Sequence, residues 1–385
     1  MNDITKPFNF ILPTEIKYGE DSIAGLPGIL KDRDIESVLL ITDPVIKVQP
    51  FTADLLQNLS LAGINVTVFD RVEPNPKDYN VMEAAAAAVD MKARGIIALG
   101  GGSPIDCAKA AAVVAAFGGK VRDYEDSSKI TGDALPLFTV PTTAGTGSEV
   151  TFSSVITDTS ENFKFTVKSS MIAPKIAFID PLLTHSMPPA LTAAVGLDAL
   201  THAIEAFTAR NANPLSDAAA LHAVELINRS LVRAVRSPKD RTARDDMMNG
   251  SLLAGIAFSH SDVAAVHCIA EALGGKYDTP HGVCNAVTLP AIMEYNLDYG
   301  VSRYARIASA MGLPFGSEEE GARRAVERVK LLVKETGLPE FRSFGVQDED
   351  LQELAENSAR NGSNKDNPRP MTAEDYMTVL KRLMA

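Results

Sequence analysis

The stretch GIIALGGGSPIDCAKA, residues 95–110, decides the fold because it reads as a buried β-strand, a glycine turn and an alanine-rich helix in succession. Gly100, Gly101, Gly102 and Ser103 form the turn. Such a junction directs free backbone N–H groups and the positive end of the helix dipole above the strand end, an arrangement that binds a pyrophosphate. The spacing is neither G-x-G-x-x-G nor a P-loop, so a plain tight turn is the open alternative.

Outward from this stretch, short apolar runs alternate with helical segments. The predicted strands are residues 37–42, 64–70, 95–100 and 136–141, and three further β-rich pieces precede Asp180. This alternation is typical of a parallel sheet covered by helices. After residue 185, apolar residues recur at helical spacing and strand patterns end. We therefore expect an α/β nucleotide-binding domain over residues 1–185 and an all-α domain over residues 186–385.

The composition narrows the class of protein. The chain has 385 residues, of which 45% are hydrophobic and 22% charged, which is ample for a packed core. Its net charge of -12 repels phosphate backbones and anionic membrane surfaces, so we expect neither a nucleic acid nor a membrane as a partner. The three cysteines are widely separated, which favours reduced thiols. The N-terminus shows no basic segment followed by an apolar one, as a secretory signal would, so we expect a cytoplasmic protein.

A second loop, PTTAGTGSEVT at residues 141–151, follows another predicted strand. Its side-chain hydroxyls belong to Thr142, Thr143, Thr146 and Ser148. Hydroxyls either bind phosphate and ribose oxygens or only stabilise the turn. Asp43, directly after the first predicted strand, is placed to accept hydrogen bonds from an adenosine ribose and to repel a 2′-phosphate, which predicts NAD rather than NADP. A turn-forming Asp before Pro44 is the alternative.

A nearly apolar helix is predicted for GLDALTHAIEAF, residues 196–207, and it carries a carboxylate and an imidazole that are candidates for metal binding. Asp198 and His202 are four residues apart and therefore share a helix face. A buried carboxylate needs a cation or hydrogen-bond donors, so the pair is a candidate for metal binding. His267 and His281 also lie in apolar stretches. Each is either a further metal ligand or a hydrogen-bonded core residue. One carboxylate with imidazoles suits Fe(II) or Zn(II) better than Ca²⁺ or Mg²⁺.

Several stretches together resemble the iron-dependent, group III alcohol dehydrogenases over essentially the whole chain. They are GGGSPIDCAKA, PTTAGTGSEVT, residues 176–206, GIAFSH and TPHGVCNAV. The resemblance implies a dehydroquinate synthase-like fold, with an N-terminal nucleotide-binding α/β domain and an all-α C-terminal domain. It implies that the metal ligands are Asp198, His202, His267 and His281. It implies that NAD contacts Asp43, Asn75, Gly100, Gly101, Gly102, Ser103, Asp106, Thr142, Thr143, Thr146, Ser148 and Lys164.

The substrate side of the site departs from the family pattern. The resemblance implies a pocket wall of Phe152, Ser153 and Phe258, although core packing is an equal alternative for both phenylalanines. Where family members commonly carry a histidine one helical turn after the third ligand, this chain has Glu271, and SDVAA replaces the usual NAPLG. Glu271 is a catalytic candidate that approaches the metal or a substrate hydroxyl, or else a carboxylate paired with a lysine or with solvent.

The reaction implied by the resemblance is reversible hydride transfer between a primary alcohol or diol and NAD, giving an aldehyde. Fe(II) is the expected metal and Zn(II) the alternative, and the family implies a homodimer or larger homo-oligomer. The rival is a dehydroquinate synthase-like lyase that uses NAD and a metal. Such a lyase needs several basic residues around an acidic substrate, and few lie beside the ligand motifs. A non-catalytic nucleotide-binding protein would be expected to have lost ligand positions.

Overall fold

The computed structural model describes residues 7–161 and 163–385, which form two compact units. The first, here called the sheet unit, comprises Leu12–Thr143 and Ser148–Ser186. The second, the helical unit, comprises Met187–Ala385 together with residues 7–11 and Ala144–Gly147. The main change of unit falls between Ser186 and Met187, and the tip of the second loop groups with the helices.

The sheet unit is built on a parallel β-sheet. Its strands are β1 (Glu15–Tyr18), β2 (Ser37–Ile41), β3 (Asn65–Phe69), β4 (Gly95–Gly100), β5 (Leu137–Pro141), β6 (Ser153–Asp158), β7 (Phe163–Lys168) and β8 (Ile176–Ile179). Six of them form a sheet in the order β1-β8-β5-β4-β2-β3 with parallel pairing throughout. The other two, β6 and β7, pair as an antiparallel hairpin.

Helices cover both faces of this sheet, which is why its central strands are mostly apolar. They are α1 (Leu26–Asp32), α2 (Pro44–Lys47), α3 (Pro50–Leu61), α4 (Asp78–Asp90) and α5 (Gly102–Phe117). Leu39 and Ile41 of β2 belong to the core layer that includes α4 and α5, whereas Val38 and Leu40 belong to the opposite layer with α1 and α3. Because successive side chains of a strand alternate between faces, a strand buried on both must be apolar at every position.

The strand order places the predicted cofactor residues at one edge of the sheet. The chain passes from β2 to β3 on one side and then returns to place β4 on the other side of β2. Ligands of open α/β sheets bind beyond the carboxyl ends of strands at such a reversal. Asp43, Gly101 and Thr142 each follow the carboxyl end of β2, β4 or β5, and these three strands are neighbours.

The helical unit contains no strand among its described residues. Its helices are α6 (Pro189–Thr208), α7 (Pro214–Arg236), α8 (Arg241–Ser261), α9 (Ala265–Tyr277), α10 (His281–Asn296), α11 (Val301–Ala310), α12 (Glu318–Thr336), α13 (Leu351–Arg360) and α14 (Ala373–Met384). By length and composition α6 could span a bilayer, but 83% of its most apolar stretch is buried inside the protein, as in a central core helix. The predicted α/β and all-α architecture is confirmed.

Candidate metal centre and nucleotide loops

Three helices of the helical unit bring a carboxylate and imidazoles together. Asp198 lies in the middle of α6, His267 in the first turn of α9, and His281 is the first residue of α10. One potential ligand atom from each of these residues lies within 4.8 Å of the other two. The Asp198 Oδ1 to His281 Nε2 distance is 3.9 Å. Ligand atoms this close, on a buried carboxylate and two imidazoles, fit a single transition-metal ion.

The approach of α10 to α6 depends on Gly282. A Cβ on this residue would lie 2.7 Å from the Ala194 carbonyl oxygen and 3.3 Å from the Asp198 Cβ. Only glycine allows the start of α10 to pass this close to α6. Gly282 is adjacent to His281 in the sequence, so the same contact brings that imidazole to Asp198.

The fourth predicted ligand, His202, lies beside this cluster. Its Nδ1 is 3.9 Å from Asp198 Oδ1, and its ring centroid is 4.5 Å from that of His267. Nδ1 is buried and has no hydrogen-bond partner in the described part of the chain. An unpaired buried nitrogen is costly, and a metal ion would satisfy it. Phe258 stacks on the other side of the ring at 4.4 Å between centroids.

Burial and charge set the protonation of these groups. Burial lowers the pKa of His202 to about 4, so the imidazole is neutral at pH 7 and keeps the lone pair that a metal needs. Burial raises the pKa of Asp198, but the neighbouring histidines and the hydrogen bond from Asn285 together outweigh it and hold that pKa below its ordinary value. Asp198 is therefore an anion among imidazoles.

Two further residues of this cluster, Glu205 and Asn285, were missed by the sequence analysis. Asn285 Nδ2 donates to Asp198 Oδ1 at 2.7 Å and lies 3.1 Å from Nε2 of both His267 and His281. An electropositive amide nitrogen thus lies at the point on which the lone pairs converge, where a cation fits. Glu205 follows His202 by three residues on the same apolar helix, so the rule that singled out Asp198 could have found it.

The glycine turn after β4 closes over Asp43, as a nucleotide site at this edge requires. Gly100 has a φ of 152°, and a Cβ there would lie 3.5 Å from Asp43 Oδ2. Asp43 Oδ1 caps α2 by accepting from the amides of Val45 and Ile46 at 2.8 and 2.9 Å. The other oxygen, Oδ2, faces Gly100 and is placed for a ribose hydroxyl.

Helix α5 begins at Gly102, within the residues predicted to form the turn, and its N-cap residue Gly101 makes no side-chain cap. The first amides of α5 are therefore available to an anion. Thr142 Oγ1 is buried without a hydrogen-bond partner among the described residues. Both features suit a bound pyrophosphate and ribose.

Asn75 and Lys164 are brought together by the fold of the sheet unit. Lys164 Nζ donates to Asn75 Oδ1 at 2.8 Å, and Asn75 has a positive φ of 50°. The two residues form one polar pair beside the hairpin of β6 and β7.

A buried lysine ties the first loop to the second. Lys109 Nζ on α5 donates to Ser148 Oγ at 3.0 Å, to Thr151 Oγ1 at 2.8 Å and to the Ser153 carbonyl at 2.8 Å. Asp106 accepts from Ser148 Oγ at 2.5 Å and from the Val155 amide at 3.0 Å. Asp106 and Ser148 thus contact protein groups that shape the loops, and their predicted contact with NAD stays a prediction.

The remaining predicted residues fall in different places. Thr146 lies in the 144–147 segment of the helical unit, where the Gly145 backbone hydrogen-bonds the His202 side chain. Phe152 and Ser153 lie in the sheet unit at the start of β6. Glu271 lies one turn after His267 on α9, and its Oε2 accepts from Asn361 Nδ2 at 2.6 Å. Asn361 holds this carboxylate on the side of α9 that bears His267.

Comparisons with known proteins identify the family to which the chain is similar. Residues 13–181 match the family "Iron-containing alcohol dehydrogenase" and residues 192–384 match "Fe-containing alcohol dehydrogenase family, C-terminal". The chain is 36% identical to alcohol dehydrogenase 4 of Saccharomyces cerevisiae (strain YJM789), covering 97% of each chain. It is 34% identical to the NAD-dependent methanol dehydrogenase of Bacillus methanolicus, covering 98% of this chain and 100% of the relative. A crystal structure of a 1,3-propanediol oxidoreductase superposes with a TM-score of 0.94 at 37% identity, covering 98% of this chain and 100% of that one.

Proposed function

The chain belongs to the iron-containing alcohol dehydrogenase family, an NAD-linked family of alcohol and diol oxidoreductases, and from this premise we propose the finer reaction and its residues. The protein converts a primary alcohol or a diol to an aldehyde, reversibly, with NAD as hydride acceptor. Family membership implies a metal, and we assign Fe(II), with Zn(II) as the alternative. The observation that carries the assignment is the cluster of Asp198, His267 and His281 ligand atoms within 4.8 Å.

The metal would be held by Asp198, His202, His267 and His281. A divalent ion bound there supplies Lewis acidity that stabilises negative charge on the alcohol oxygen. The residues contribute one negative charge and three imidazoles, so the loaded centre keeps a net positive charge. His202 stays neutral through its low pKa of about 4.

NAD would be held by the carboxyl edge of the sheet, and bound NAD supplies the carbon centre that accepts hydride. The free amides of the first turn of α5 bind the pyrophosphate. Asp43 Oδ2 accepts from the ribose and disfavours the 2′-phosphate of NADP. Thr142, Thr143, Asn75 and Lys164 complete the polar surface. In this proposal, residues 1–185 are the NAD-binding part and residues 186–385 the metal-binding part, with the 144–147 segment joined to the latter.

We propose that the substrate contacts Phe258 and Glu271 of the helical unit. Phe152 and Ser153 belong to the sheet unit, and their predicted contact with the substrate stays a prediction. Phe258 stacks on His202, so a hydrophobic wall adjoins a proposed ligand and excludes water from it. Glu271 extends from the helix that carries His267, and Asn361 holds its carboxylate. We propose that Glu271 accepts a hydrogen bond from a substrate hydroxyl, which a diol provides in addition to the reacting one.

A substrate screen tests the reaction class. The purified protein is stripped of metal, reloaded with Fe(II) or Zn(II), and given primary alcohols and diols with NAD or NADP while absorbance of the reduced nicotinamide is followed. We expect net NADH with alcohols, faster with NAD than with NADP, and none before reloading. Turnover of a phosphorylated substrate without net NADH would instead support the lyase.

Assembly and location are also part of the proposal. The family resemblance supports a homodimer or larger homo-oligomer, and the reduced cysteines support a cytoplasmic location. All three cysteines, Cys107, Cys268 and Cys284, are buried and free. Light scattering after size exclusion measures the assembly, and a mass of 41.1 kDa would show a monomer and contradict it.

A further inference from the structure

We infer that Glu205 is a positioning residue of the metal centre, which fixes the orientation and tautomer of the His267 ring. The inference rests on the metal centre proposed above and adds a residue that does not touch the metal. Glu205 lies on α6 and is 3% exposed, and His267 lies on α9 and is also 3% exposed. A carboxylate buried this deeply requires hydrogen-bond donors or a cation.

Three donors converge on the two oxygens of Glu205. His267 Nδ1 donates to Oε2 at 2.6 Å, and the Ala264 amide donates to the same oxygen at 2.9 Å. The Val266 amide donates to Oε1 at 2.7 Å. Charge-assisted hydrogen bonds of this length are among the stronger ones in proteins. Both carboxylate oxygens are therefore engaged by the segment that carries His267.

The contact with Nδ1 decides which ring nitrogen can bind a metal. An ionised carboxylate accepts only, so Nδ1 must carry the proton. The second nitrogen, Nε2, then presents its lone pair, and Asn285 Nδ2 lies 3.1 Å from it and donates to it. Two contacts on opposite sides of the ring thus agree on one tautomer. Metal-bound histidines commonly donate their other N–H to such a carboxylate, which orients the ring.

The contacts with the two amides fix the helix start on which His267 lies. Helix α9 begins after a bend of 100° from α8, and its N-cap residue Ala264 has no side chain that could cap it. Glu205 supplies the cap from another helix by accepting from the Ala264 and Val266 amides. His267 is the third residue of α9, so a shift in this first turn would move the ligand directly.

Helix α6 therefore carries two proposed ligands and the support for a third. Asp198, His202 and Glu205 follow one another at four and three residues, which places them along one side of the helix. Glu205 couples the position of α9 to α6. This coupling gives a structural reason for a carboxylate among the apolar neighbours of Glu205 on α6.

The substitution Glu205→Gln tests the inference at nearly constant volume. Glutamine has one acceptor oxygen and an amide nitrogen that cannot accept, so it cannot satisfy three donors. We expect Co(II) affinity, measured by competition with a chelator, to fall about 10-fold to 100-fold. The visible Co(II) absorption bands should also change, because a reoriented His267 alters the ligand field.

The matched control is Asp246→Asn. Asp246 is another buried carboxylate of the helical unit, and it accepts from Arg229 and Ser230 on α7 rather than from a proposed ligand. We expect its Co(II) affinity and spectrum to equal those of the unaltered protein. An equal loss in both variants would show a general effect of destabilisation and would overturn the inference, as would an unchanged affinity in Glu205→Gln.

A measurement on the unaltered protein decides the matter if Glu205→Gln does not fold. The chain has six histidines, so nitrogen-15 labelling of histidine gives six imidazoles in the Zn(II)-loaded protein. We expect the His267 ring to carry its proton on Nδ1, with slow exchange and a strongly downfield shift. A proton on Nε2 would overturn the inference. A separate result would contradict the proposed metal centre itself, namely an unchanged Co(II) affinity in His267→Ala.

Discussion

The proposed nucleotide loops of the sheet unit and the proposed metal centre of the helical unit are assembled in opposite ways. Each loop is one continuous segment after a strand, and much of its binding capacity lies in backbone amides such as those of Gly102 and Ser103. The metal centre takes side chains from α6, α9 and α10. No single continuous segment of the chain supplies all of these side chains.

This difference predicts different responses to substitution. A loop held by strand ends and a helix start keeps its shape when one side chain changes, so losses should be graded. A cluster of converging side chains loses its function when one member is removed, since the ion needs all of them at once. The following predictions test this contrast.

The largest effect should come from His267→Ala. Removing a ligand should cost more than the roughly 10-fold to 100-fold that a supporting residue costs, so metal retention and activity should be lost together. Metal analysis after dialysis and NADH formation measure the two. The control is His222→Ala, because that side chain is 55% exposed and pairs with Glu225. Full activity in a variant that holds no metal would refute the assignment.

Next is Lys109→Met, which removes the cation that joins the two loops. Lys109 is fully buried, and burial lowers its pKa to about 8. Its loss leaves the Ser153 carbonyl without this donor and Asp106 without a nearby cation, so we expect a destabilisation of about 2–4 kcal/mol in urea unfolding. NAD binding should weaken but persist. The control is Lys31→Met, at an exposed lysine of α1, which should change neither the free energy of unfolding nor the affinity for NAD.

A pH-dependent effect should follow from Glu149→Gln. Burial raises the pKa of Glu149 from 4.5 to about 7, so the folded state keeps a proton that the unfolded state releases between these values. Its stabilising contribution is present below pH 4.5 and is lost as the pH rises through 7. Glutamine copies the neutral form, so the variant should be about 1–3 kcal/mol more stable at pH 8 and nearly equal near pH 4.5. A gain that is independent of pH would contradict this origin.

The smallest effect should come from Asp43→Asn. Asparagine still caps α2, so the fold should be kept. Loss of the charge should lower the preference for NAD over NADP about tenfold, or about 1.4 kcal/mol, in the ratio of kcat/KM values. Asp54→Asn, at an exposed position of α3, provides the comparison. An unchanged ratio would place the ribose elsewhere.

Most of the sheet unit was predictable because its signals are local. Strands β2, β3, β4 and β5 follow the apolar runs within a residue. Strand β1 was missed because EIKY mixes polar residues with apolar ones and lies at the edge of the sheet, where one side stays exposed. Helix α5 begins two residues before the predicted end of the turn, because Gly102 and Ser103 already adopt helical geometry.

The metal centre was predictable only in part. Asp198 and His202 share a helix face, and that much follows from a period of 3.6 residues. The convergence of His267 and His281 on Asp198 does not, because it depends on the approach permitted by Gly282. The roles of Glu205 and Asn285 emerged from contacts between helices, which no spacing in the sequence encodes.

The sequence by itself determined the two architectures, the glycine turn at a strand end and the family, because hydrophobic period and short motifs act over a few neighbouring residues. Tertiary structure alone decided which buried polar groups meet: His267 with Glu205, Asn285 with Asp198, and Lys109 with Ser148. The physical reason is that a buried polar group must find a partner, and packing between distant elements supplies it.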